Sequence, residues 1–127
     1  MLDAFWSAHP KRASKTGRGA NMPKYLICGS YTAEGMRGLQ KDKASGRRQA
    51  VSSLMESMGG RLEAMYYALG EDDVFVVVDA PSQADAAAIG VAASASGMVR
   101  LRTIPLLTVE ETDQILSKTV NYRAPGA

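Results

Sequence analysis

Tyrosines at 25, 31, 66, 67 and 122 are the residues of this chain best suited to proton or hydrogen-bond chemistry, because a phenol both donates and accepts. Lining a small pocket between a sheet and its helices, one of them would serve as an acid or as a donor to a ligand. Tyr31 is the strongest candidate: it ends a β-prone run and is followed by Thr32 and Gly35, the kind of opening where site loops sit. Arg100 and Arg102 alternate on one side of a second such run, and a guanidinium fork suits a planar carboxylate or a phosphate. The competing reading, which we favour, pairs these arginines with Glu63 or Asp79 across a subunit interface or leaves them in solvent, since charges at a buried face are normally matched. Glu71, Asp72 and Asp73 are three consecutive carboxylates that could attract a hard cation. Neighbours on a short turn seldom converge on one ion, so they read as a solvated hairpin tip and no metal site is expected. Cys28 sits mid-strand as a small buried apolar residue rather than a reactive thiol. Gly59-Gly60 leads into a strand rather than a helix, which fails the requirement of a phosphate loop.

The chain of 127 residues has one histidine, His9. From Met22 onward there is none, which removes Ser-His and Cys-His pairs, His-bearing zinc sites and a proximal-His haem from consideration. No resident cofactor is expected. The formal charge of +2 divides unevenly: residues 1–21 hold Lys11, Arg12, Lys15 and Arg18 against Asp3, while the rest has 11 basic and 12 acidic groups. A near-neutral body lacks the clustered basic surface that phosphate neutralisation requires, so no nucleic-acid partner is expected. No apolar run approaches the length of a membrane span and no signal-peptide core is evident, so no membrane partner is expected either. A single cysteine excludes a disulfide framework and fits a reducing compartment, the cytoplasm.

Residues 1–21, polar and without period, read as a flexible basic extension, with Met22 as the natural start. The body spans 22–118 and a loose tail 119–127. Lys24–Tyr31 is the first strand. Residues 32–44 read as polar with one helical turn near Met36 to Gln40, and Val51, Leu54, Met55 and Met58 then mark one stripe of a helix over about 45–58. Arg61–Leu69 and Asp73–Ala80 form a hairpin. With Leu69 opposite Val74, Met65, Tyr67, Leu69, Val74, Val76 and Val78 share one face, and Ala64, Tyr66, Ala68, Phe75 and Val77 the other. Ser82 caps a second, alanine-rich helix that ends at Gly97. Met98–Leu107 is the fourth strand, and Thr108 to Glu111 is a capping box for a short helix to about Lys118.

The order β-α-β-β-α-β plus a short helix is an α+β, ferredoxin-like arrangement: a four-stranded antiparallel sheet with both long helices on one face. Both faces of the hairpin are apolar, yet only one receives helices. A homodimer formed through the other sheet face is therefore expected, with a higher oligomer left open.

Several separated motifs resemble the GYD domain family: Tyr31-Thr32-x-x-Gly35, Met58-Gly59-Gly60-x-Leu62, Tyr66-Tyr67-Ala68-Leu69-Gly70 running into Asp73-Val74, and Gly97-x-Val99-Arg100 followed by Thr103. The resemblance covers about residues 22–118. It implies a dimeric α/β-barrel, built on the ferredoxin-like fold. The family's Gly-Tyr-Asp maps to Gly70, Asp72 and Asp73, with Asp72 where the tyrosine stands, so that tyrosine's role has no carrier at this position. Together these readings give a small homodimer that binds or senses a small molecule or serves as an assembly module. The candidate ligand-binding residues are Tyr31, Tyr66, Tyr67, Asp73, Arg100 and Arg102. The alternative is a cofactor-free monooxygenase-like or isomerase-like enzyme acting on a small hydrophobic or aromatic substrate; whether the chain is catalytic stays open at this level.

Overall fold

The computed structural model describes residues 22–127, and the extension expected at 1–21 lies outside the described residues. Seven elements follow in order: β1 (Lys24–Tyr31), α1 (Ala33–Ser57), β2 (Arg61–Tyr67), β3 (Val74–Asp79), α2 (Gln83–Ala95), β4 (Val99–Leu106) and α3 (Val109–Leu116). The strands form one sheet in the order β2-β3-β1-β4, each neighbour antiparallel, which is the ferredoxin-like α+β topology. No helix among the described residues is long and apolar enough to cross a membrane.

One sheet face carries Tyr25 and Ile27 from β1 and Val74, Val76 and Val78 from β3. Met55 of α1 and Ala86 of α2 close over them, and Met55 and Val78 are essentially sealed from solvent. Burying a side chain of that size contributes about 1.5–3 kcal/mol. α1 lies over β2 and β1, α2 over β4, and the two helices scarcely touch each other.

Helix α1 is longer than the periodicity indicates. The isolated turn near Met36 and the stripe from residue 45 belong to one element, broken at Lys43, whose backbone (φ 68, ψ 162) is non-helical. Gly38 and Gly46 flank this kink and obscure the pattern, since glycine is a poor helix former. The β2–β3 pairing also differs from expectation. Tyr67, not Leu69, sits opposite Val74; β2 stops at Tyr67, and Leu69 lies fully exposed in a wider loop. The Asp73 backbone N–H donates to the Gly29 carbonyl at 2.8 Å and its carboxylate accepts from the Tyr31 N–H, so the turn is tied to β1 instead of closing tightly. The shift is by two residues, which preserves which side chains share a face.

None of the described helices packs over the opposite sheet face. Leu26, Cys28, Phe75, Val77 and Ile104 occupy its centre, with Tyr66 at the β2 edge, 71 % exposed. Charged groups bound it at both ends. At one, Asp79 accepts from Lys24 Nζ at 2.7 Å and from Arg61 at 3.0 Å, and Lys24 also pairs with Glu63. At the other, Arg102 donates to Asp72 at 2.8 Å. Helix α3 has its complete capping box at Thr108 and Glu111, yet none of its residues is buried, and Val109 and Leu116 are about three-quarters exposed.

Candidate binding cleft

The N-terminus of α1 is stitched to the turn between α2 and β4. Thr32 caps the helix by accepting from the Gly35 N–H at 3.1 Å, donates its own N–H to the Met98 carbonyl at 2.9 Å, and donates its hydroxyl to the Gly97 carbonyl at 2.9 Å. A Cβ on Gly35 would lie 1.9 Å from the Met98 carbonyl oxygen, so only glycine permits this approach. Gly97 turns the chain out of α2 with φ 74. Two of the separated sequence motifs thus meet at one seam.

Above that seam, a cleft of about 690 Å³ opens between α1 and α2. Leu39, Leu54, Met58, Ile89 and Val99 make its walls and floor mostly apolar, and Ala88, Ala92 and Ala93 supply the α2 side. Those alanines explain why the space exists: methyl groups are too short to fill the gap left by two helices that diverge over the sheet. The volume is within the range of small-ligand sites.

Tyr31, Asp42, Arg47 and Ser96 are the polar side chains of the lining. Tyr31 lines the cleft and is hydrogen-bonded to Tyr67, which lies behind it at the end of β2 on the same sheet face. Desolvation, followed by that bond, pushes the Tyr67 phenol up to about 12, against a smaller opposing pull from the Arg47 charge. Arg47 also lines the cleft, is half-buried, and has neither an ion pair nor a hydrogen bond among the described residues. Asp42 is the one carboxylate of the lining, and it is exposed.

Asp73 does not enter the cleft. Its Oδ2 accepts the Tyr31 backbone N–H at 2.8 Å and so fixes where the Tyr31 phenol stands. The six candidates therefore divide. Tyr31, Tyr67 and Asp73 come together, while Tyr66, Arg100 and Arg102 lie on the uncovered face and do not join them. The five tyrosines do not share one pocket either: Tyr25 is buried in the core and Tyr122 is exposed in the C-terminal segment. Within the chain Arg102 pairs with Asp72, while Glu63 and Asp79 meet Lys24 at the far end of the face. Asp72 and Asp73 are thereby directed to different partners, and no group of three potential metal ligands forms among the described residues.

Arg47 was not singled out by residue type, although its spacing carries the signal. Arg47, Val51, Leu54 and Met58 fall at i, i+4, i+7 and i+11, so the arginine sits on the stripe that faces inward. A charge on an apolar stripe is the informative observation.

A family model described as the GYD domain matches residues 25–116. Comparison with curated proteins returned no match, and neither did comparison with solved structures.

Proposed function

The chain belongs to the GYD domain family, and from that premise we propose that it is a homodimeric small-molecule-binding or sensing protein whose ligand occupies the cleft between α1 and α2. The observation that carries this reading is the mostly apolar cleft of about 690 Å³ with Tyr31 and Arg47 in its lining. A collapsed core with no space between the helices would have favoured an assembly module. Chemistry on the ligand has less support. An isomerase-like or oxygenase-like reaction needs a base to take a proton, and Tyr67 holds its own proton to about 12, which suits a hydrogen-bond donor at neutral pH. The thiol of Cys28, buried on the other sheet face, fits a cytoplasmic setting.

The test is a thermal-shift measurement with the neutral apolar probe N-phenyl-1-naphthylamine. At about 100 times its dissociation constant, a ligand of the native state adds roughly 2.7 kcal/mol. The melting temperature of the wild type should rise, and that of Ala92→Trp, which fills the cleft from α2, should not. No shift in the wild type, or an equal shift in both, would remove the cleft reading.

A further inference from the structure

Resting on the cleft reading, we propose that the ligand is an anion: an apolar body seated between α1 and α2, with a carboxylate or similar oxyanion held by the Arg47 guanidinium and the Tyr31 hydroxyl. Arginine is rarely left half-buried without a carboxylate or carbonyl, because its five donors lose water and gain nothing in return. Arg47 is in that position, on the inward stripe of α1, with no partner among the described residues. The nearest acid on its own helix that lines the same cleft, Asp42, lies across the Lys43 kink and forms no ion pair with it.

The surroundings favour a negative group over a neutral polar one. Tyr31 and Arg47 both line the cleft, and an oxyanion is the acceptor that can take a phenol proton and a guanidinium together. Asp73 holds the Tyr31 backbone from outside the cleft, which orients the phenol before a ligand arrives. The remaining walls are side chains such as Leu54, Ile89 and Val99, which exclude water from the ligand body and strengthen the charged contact. Asp42 faces the same space and would repel a second negative group, which limits the ligand to one anionic end placed near Arg47.

The test compares two probes with one aromatic frame: 8-anilinonaphthalene-1-sulfonate, which is an anion, and neutral N-phenyl-1-naphthylamine. Both are titrated by fluorescence into the wild type, Arg47→Gln, Arg47→Lys and Ala92→Trp. The anion should bind the wild type about tenfold more tightly than the neutral probe, the difference expected of one hydrogen bond to a charged group. Arg47→Gln should bring the ratio of the two affinities to about one, with Arg47→Lys restoring part of the preference. Ala92→Trp should weaken both, which separates the cleft from the exposed sheet face, where such dyes also adhere. If both probes bind and are blocked by Ala92→Trp, but Arg47→Gln leaves their ratio as in the wild type, the anion inference falls and the cleft reading stands. If neither binds, or Ala92→Trp changes nothing, both fall.

Discussion

Tyr67 is the residue at which the local physics of the cleft can be read most directly. Its phenol is raised to about 12, first by desolvation and then by its bond to Tyr31. The folded state thus keeps a proton that the unfolded chain releases near 10. Stability linked to this group is complete below pH 10 and is lost as pH rises from 10 toward 12. A tyrosinate absorbance titration, taken as the difference between wild type and Tyr67→Phe, isolates this ionisation. In Tyr31→Phe the midpoint should fall part of the way back, because the hydrogen bond is gone and the burial remains. An unchanged midpoint would show that the two phenols are not coupled. Tyr31 and Asp73 were legible from the sequence because one ends a strand and the other stands in a motif. Their connection was not, since a carboxylate reaching across 42 positions to a backbone N–H leaves no local pattern.

Among the elements, the seam between α1 and the α2–β4 turn decides whether the cleft exists. Gly35→Ala would drive a methyl group into the Met98 carbonyl, and backbone on both sides cannot yield without moving the helix. We expect it to destabilise the fold by about 1–3 kcal/mol or more in a denaturant titration. Gly90→Ala in α2, where an added Cβ meets nothing within 4 Å, should be neutral or stabilising by up to about 1 kcal/mol. Equal costs at the two positions would contradict the packing described for Gly35. Strands β1, β3 and β4 and the two N-caps at Ser82 and Thr108 follow from alternation and capping residues alone, and they stand within a residue of where the sequence puts them. The first half of α1 escaped because two glycines and the Lys43 kink interrupt its period. The end of β2 escaped because the tie that widens its turn comes from β1, a long-range contact.

At the scale of the whole molecule, the account must explain an apolar sheet face without a cover and a well-capped helix with nothing buried. An eight-residue helix is marginal in water unless its apolar side packs against something. A second copy is the occupant that the homodimer reading supplies. The face has an apolar centre and charged groups of both signs at its ends, Lys24, Asp79, Arg61 and Glu63 at one and Asp72 and Arg102 at the other, so a two-fold partner can match it. Light scattering at micromolar concentration should give twice the chain mass, and Ile104→Glu in the centre of the face should lower it to a single chain. A wild type that runs as a monomer would remove the homodimer.

The central claim, that a small apolar molecule lodges between α1 and α2, is tested most directly by following backbone amide resonances while N-phenyl-1-naphthylamine is added. The account predicts that the shifts concentrate on Tyr31, Gly35, Leu54, Ile89, Ala92 and Val99, around the cleft. Shifts centred instead on Leu26, Phe75 and Ile104 of the uncovered face, or no shifts, would contradict it.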